Sequence, residues 1–194
     1  MVVKTWVEAY SPVCANRELL EGNIMANRVF IEAIARYVKP GDKVLEIGSG
    51  TGVLGFPLAQ AGLKVTSVDN DPEVLTMALV NSAVLGADIE YQEADAFHLP
   101  FSDREFKLSF SLGLIEHFSD DDIARLVAEH QRVADVVVIG MPIEGHFGEG
   151  LGNERYLSMS QWEELLKPMG ACEGLIYGEN PCALFLFQRT GAGV

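Results

Sequence analysis

Three glycines and three carboxylates at fixed spacing carry most of the chemistry this sequence can do. Gly48, Gly50 and Gly52 stand in a Glu-x-Gly-x-Gly-x-Gly run that opens at Glu46, and Asp69 closes the apolar stretch Val65-Thr66-Ser67-Val68. A third acidic station follows at Glu93-Ala94-Asp95-Ala96-Phe97. Residues without a Cβ let a backbone turn tightly and approach a ligand closely. A carboxylate at the end of the second strand of a βαβ unit accepts hydrogen bonds from the two hydroxyls of a ribose. The combination reads as an adenosine-ligand site. Glycine triplets of this kind also serve nicotinamide and flavin sites and ordinary strand-to-helix turns, so an oxidoreductase stands as a competing reading.

Proton-transfer candidates gather elsewhere. Glu116 and His117 follow the apolar run Phe106-Lys107-Leu108-Ser109-Phe110-Ser111-Leu112. In an open parallel sheet, ligands sit beyond the carboxyl ends of the strands, which is where this pair falls. An imidazole ordinarily titrates near neutrality, so His117 is the candidate base and Glu116 the candidate substrate contact. A second cluster, Glu144, His146, Glu149, Glu154 and Tyr156, lies among Gly145, Gly148, Gly150 and Gly152, a composition that suits a lid and a plain connection equally. His146 is its catalytic candidate. His146 with Glu149 is too small a ligand set for a metal, and Asp120, Asp121 and Asp122 read as the favourable first turn of a helix capped by Ser119. No metal is expected. Cys14, Cys172 and Cys182 form no CxxC pair and read as reduced thiols.

The elements that position these groups follow from period and punctuation. Residues 16–38 carry apolar side chains near the helical period, with Gly22 the expected break and Lys39-Pro40-Gly41-Asp42 the end. A strand at 43–47 leads into the glycine turn. A helix at 53–61 should aim its free N–H groups at an anionic part of the ligand. Asp71 caps the next helix, with Pro72 at its first position. Strands follow at 89–93, 108–112 and 135–140, the fourth apolar enough to be buried on both faces. A helix at 158–169 precedes strands 173–177 and 183–187, which pair as a hairpin around Gly178-Glu179-Asn180-Pro181. Trp162 and Phe185 fall on inward faces, Trp6, Tyr10 and residues 23–28 form a roof over the pocket, and residues 190–194 fray.

On these residues, from about 42 to 188, the chain resembles the class I S-adenosylmethionine-dependent methyltransferases. The first motif matches Glu46 to Gly52, the second Asp69 and the third Asp95. The resemblance implies that the glycine turn passes the methionine part of S-adenosylmethionine, that Asp69 holds the ribose, and that Asp95 meets the adenine amino group. It implies that Ser49, Asn70, Ala96 and Leu112 belong to the same cofactor-binding set. It implies an α/β fold: a Rossmann-like, doubly wound, seven-stranded sheet of order 3-2-1-4-5-7-6, strand 7 antiparallel, helices on both faces. The expected organisation is one domain over 1–194, with a helical cap at 1–41, a cofactor-binding half at 42–142, and a substrate loop, helix and hairpin at 143–194.

The implied reaction is methyl transfer to an oxygen, nitrogen or carbon of a small molecule. Alternatives are a nicotinamide-dependent oxidoreductase, against which the four-station motif and Asp95 speak, and a non-catalytic module that binds the cofactor. The string Ser111-Leu112-Gly113-Leu114-Ile115-Glu116-His117-Phe118 is also similar to the strand-four motif of cyclopropane and mycolic-acid synthases, where the matching glutamate helps bind bicarbonate, although this chain is short for the lid that covers a lipid. An Asn/Asp-Pro-Pro-Tyr/Phe motif is missing, which argues against nucleobase amino groups as acceptors.

Composition agrees. A chain of 194 residues, 48% hydrophobic, suits one filled core. Asp and Glu number 28 against 14 Lys and Arg, a net charge of −14 whose field repels phosphate backbones. Nucleic acid is disfavoured as a partner, and a homodimer is left open. No apolar run approaches a membrane span and no secretory signal opens the chain, so a cytoplasmic location is expected.

Overall fold

The structure, a computed structural model, describes residues 5–147 and 153–188. Gly148, Glu149, Gly150 and Gly152 of the expected lid, and the expected fraying of 190–194, lie outside the described residues.

Seven strands form one sheet: β1 (Lys43–Ile47), β2 (Lys64–Asp69), β3 (Glu90–Glu93), β4 (Phe106–Leu112), β5 (Ala134–Pro142), β6 (Ala171–Tyr177) and β7 (Cys182–Gln188), in the order β3-β2-β1-β4-β5-β7-β6. β1 pairs in parallel with β2 and β4, while β7 runs antiparallel to β5 and β6. The expected topology is the observed one. Alternation along β5 explains how both faces are covered: Val136 and Val138 join a core with Phe30, Leu58 and Leu108, while Val137 and Ile139 join one with Leu126, Trp162 and Phe185. Helices α3 (Arg28–Ala35), α4 (Gly55–Gln60) and α5 (Pro72–Leu85) cover the first face, and α6 (Asp120–Val133) and α7 (Met159–Leu166) the second. Trp162 and Phe185 are core, as their spacing requires.

Two elements precede these. α1 (Trp6–Tyr10) is held by a capping box between Thr5 and Glu8, and α2 (Arg17–Ala26) is capped by Asn16. The break in the long helical stretch falls at Asn27, not at Gly22. Asn27 leaves helical geometry at φ −98° and ψ 14°, and its Nδ2 donates to both the backbone and side-chain oxygens of Asn23. Gly22 stays inside α2, where an added Cβ would meet nothing. The helix after the glycine turn begins at Gly55, two residues later than its sequence suggests.

The chain leaves β1 for β2 and β3 on one side, then returns to β4 on the other. This reversal opens a crevice beyond the carboxyl ends of β1 and β4. Register sets its contents: Ile47 lies opposite Val68, so Asp69 emerges level with the first glycine of the turn.

Candidate active site

The crevice holds a cavity of about 1130 Å³. Its floor is the turn after β1, where Gly48, Gly50 and Gly52 all have positive φ, at 77°, 49° and 73°. Gly48 and Ser49 donate their N–H groups to Val68 O at 2.9 and 3.0 Å, which locks the turn onto β2. Asp69 points at that turn: Oδ2 lies 3.4 Å from Gly50 N and 3.5 Å from Ser49 Oγ, and Oδ1 accepts from Asp71 N at 3.1 Å. Burial raises the Asp69 pKa, an effect these backbone hydrogen bonds oppose. Glu46 is buried beside it, its Oε2 accepting from Ser67 Oγ at 2.7 Å. Burial pushes its pKa up to about 8 against the pull of the Ser67 hydroxyl, with Asp69 adding to the rise. At the far end Asp95 is exposed, and its pKa is lowered, first by its hydrogen bond with His98 and then by Phe97 N.

Glu46, Gly48, Ser49, Gly50, Asp69, Asn70, Asp95, Ala96 and Leu112 all line this cavity. Gly52 does not. A Cβ there would lie 2.5 Å from Tyr91 Oη and 2.9 Å from Ala78 Cβ, so this glycine lets the turn pack on α5 and β3 and leaves the ligand to its neighbours. Gly52→Ala combines a left-handed backbone with a collision and should cost about 2–4 kcal/mol. Gly86, also left-handed but with nothing within 4 Å of an added Cβ, isolates the backbone part, about 1–2 kcal/mol on substitution by alanine. Urea denaturation of both variants measures the difference, and equal losses would deny the packing role.

The other end of the cavity is built by the end of β4, the 3₁₀ turn Ile115–His117 and α1. Tyr10 covers the glycine turn, its Oη 3.1 Å from the position of a Gly50 Cβ. Trp6 stacks on Tyr10 at 5.6 Å and meets the His117 ring edge-on at 5.0 Å. One short helix therefore roofs both ends, as its aromatic residues suggested. Asn23 and Asn27 extend that roof.

Of the three proton-transfer candidates, His117 and His146 line the cavity and Glu116 does not. Glu116 is only 2% exposed and sits behind the wall, its Oε1 3.9 Å from His117 Nε2. Burial pushes its pKa up to about 8, with its own backbone amide opposing and Glu154 adding to the rise. Its Oε2 has no hydrogen bond among the described residues. In a 3₁₀ turn successive side chains diverge, so adjacent residues cannot both face the ligand.

His146 is tied at both nitrogens. Asn180 grips the Phe147 backbone through Oδ1 and Nδ2, each at 2.7 Å, which fixes the orientation of its amide. Its Nδ2 also lies 3.1 Å from His146 Nε2, which must then be the acceptor, leaving Nδ1–H to face Pro181 O at 3.3 Å. His146 therefore anchors the post-β5 loop to the hairpin turn. Arg155 anchors the same loop from the other side, giving its N–H to Glu116 O and a guanidinium N–H to Phe118 O, each at 2.9 Å. Asn153 is the site residue that sequence reasoning missed: it lines the cavity and meets His117 Nδ1 through Oδ1 at 2.8 Å.

Residues 44–135, which include the glycine turn, Asp69, Asp95 and the Glu116–His117 corner, match the family model of the methyltransferase domain. That match supports the class I S-adenosylmethionine-dependent methyltransferase superfamily that the motifs resemble. A protein of Mycobacterium tuberculosis is 33% identical over 139 residues, 71% of this chain and 51% of that relative. The chain thus spans about half the length of the curated relatives it matches first. The PH0226 protein of Pyrococcus horikoshii has the same fold, with a TM-score of 0.73 at 19% identity over 94% of this chain and 99% of that one. A methyltransferase from Aquifex aeolicus that depends on S-adenosylmethionine aligns with a TM-score of 0.68 at 18% identity over 87% and 96% of the two chains. The cofactor of this superfamily is S-adenosylmethionine, and the match speaks against the nicotinamide alternative. The residues present fit that cofactor: a carboxylate aimed at a left-handed glycine turn, and a cavity above the roughly 300–1,000 Å³ of a single drug-sized ligand. Among the described residues, no helix is long and apolar enough to cross a membrane.

Proposed function

We propose that this chain transfers a methyl group from S-adenosylmethionine to an oxygen, nitrogen or carbon of a small molecule. The observation that carries the reading is the continuity of one cavity from Asp95 and Asp69, past the glycine turn, to His117 under the Trp6–Tyr10 roof. When bound, the cofactor supplies a methyl already made electrophilic by the sulfonium. What remains for the chain is to hold, align and dry the site. Asp69 accepts the ribose hydroxyls, the Gly48–Gly50 backbone passes the methionine part, and Asp95 meets the adenine. Alignment at near-attack distance can contribute on the order of 7–11 kcal/mol, and α1 keeps water from the acceptor.

His117 is assigned as the base, Glu116 as the group that supports it, and His146 as an anchor rather than a catalyst. The cavity of about 1130 Å³ favours a small acceptor, and a net charge of −14 disfavours nucleic acid. A cytoplasmic location accords with the free cysteines Cys14, Cys172 and Cys182, which an oxidising compartment would tend to pair.

Calorimetry with S-adenosylmethionine and its demethylated product, followed by methyl-label transfer into metabolite pools, tests the reading. Heat with both and label in a product supports it, heat without label in any pool points to the non-catalytic module, and no heat ends it. Asp69→Ala removes hydrogen bonds to a charged group worth about 1.5–3 kcal/mol, so cofactor affinity should fall about 10- to 150-fold. Unchanged affinity would contradict the ribose assignment.

A further inference from the structure

We infer that Asn153 is a positioning residue: it holds His117 in the Nδ1–H tautomer, so that Nε2 takes a proton from an acceptor whose reacting oxygen or nitrogen still carries one. The inference deepens the methyl-transfer reading and rests on it. The 2.8 Å contact between His117 Nδ1 and the carbonyl oxygen of Asn153 is a hydrogen bond when Nδ1 carries the proton. Nε2 is then the lone-pair nitrogen, and it has no hydrogen bond among the described residues. His146, the other cavity histidine, has its own Nε2 closed by Asn180. Among the described residues, His117 is the cavity-lining histidine whose Nε2 is not closed by a hydrogen bond.

Three neighbours fix the ring. Asn153 holds one edge, Trp6 packs against it at 5.0 Å with an interplanar angle of 84°, and Glu116 Oε1 stands 3.9 Å from Nε2. That last separation is beyond hydrogen-bond reach, yet short enough for a carboxyl oxygen to steady an imidazolium once the proton arrives. The step balances. The acceptor's X–H bond breaks and its electron pair forms the X–CH₃ bond, while the carbon–sulfur pair leaves on sulfur. The proton goes to His117 Nε2, so one positive charge passes from sulfonium to imidazolium. A thiolate or carbanion acceptor needs none of this apparatus, which points to hydroxyl and amine acceptors.

Long-range ¹H–¹⁵N correlation spectra of the ¹⁵N-labelled full chain test the tautomer directly, because the sequence has only four histidines and His117→Gln assigns the signal. The wild type should show His117 as Nδ1–H without any ligand. Asn153→Ala should move it toward the Nε2–H form, and Asn153→Asp, which keeps an acceptor oxygen, should restore Nδ1–H. The buried His130 signal reports whether the fold survives. A wild-type His117 found as Nε2–H, or an alanine variant with an intact His130 signal and an unmoved tautomer, overturns the inference. If the alanine variant does not fold, the wild-type and aspartate spectra decide it. Label recovered as an O-methyl or N-methyl product supports the base role, and an S-methyl or C-methyl product sinks it. Absence of cofactor binding would remove the methyl-transfer reading while leaving the tautomer result standing, so the two failures are distinguishable.

Discussion

Replacing His117 with alanine should slow methyl transfer by about 10²- to 10⁴-fold, the range expected for loss of a positioned general base. Cofactor affinity should be almost unchanged. The separation follows from geometry: the ribose, methionine and adenine contacts assigned above come from β1, β2 and the segment after β3, whereas His117 sits on the turn after β4. Its ring meets Trp6 and Asn153. Single-turnover measurement of label transfer, with calorimetry on the same variant, reads both quantities. A parallel loss of affinity and rate would make His117 part of the cofactor wall. An unaffected rate would mean that the acceptor arrives already deprotonated, and that alignment alone carries the reaction.

The backbone of the site was legible in the sequence because its signals are local. Apolar runs give the strands, and the Glu46–Gly52 motif with Asp69 gives the turn and its partner; parallel register then brings them to the 3.4 Å contact between Asp69 Oδ2 and Gly50 N. What escaped depends on the direction in which a side chain points. Glycine at position 52 announces a left-handed backbone but not which side the missing Cβ would occupy, and here that side is Ala78 and Tyr91. Glu116 and His117 are adjacent letters, yet the 3₁₀ turn sends one behind the wall and the other into the cavity. α1 is five residues long, too short for a period, and owes its place to a capping box and to two aromatic rings. Asn153 lies 36 residues from its partner in the chain. An asparagine in a polar loop carries no pattern that would single it out.

Glu46→Gln should remove a pH dependence written into the cavity floor. In the folded chain burial keeps the Glu46 proton up to about pH 8, against an ordinary value of 4.5. Between those values the unfolded chain binds fewer protons than the folded one, so stability falls as pH rises. The contribution is complete below about 4.5 and is lost as pH climbs through 8. The glutamine variant does not titrate, and relative to wild type it should gain about 1.4 kcal/mol per pH unit, roughly 4–5 kcal/mol over the whole window, levelling above pH 8. Glu116, raised by burial to about 8, acts with the same sign. His130 acts oppositely: burial drives it down to about 3 from its ordinary value of 6.5, so the neutral folded ring resists the proton that the unfolded chain takes up. Its contribution is present above 6.5 and lost as pH falls, which offsets one glutamate below that point. The wild-type decline should therefore be steepest between about pH 6.5 and 8, and the difference between wild-type and variant curves isolates Glu46. Urea denaturation of the ligand-free chain at half-unit pH intervals measures both curves. Parallel curves would mean that Glu46 is ionised and hydrated at neutrality, and that the cavity floor is open to water.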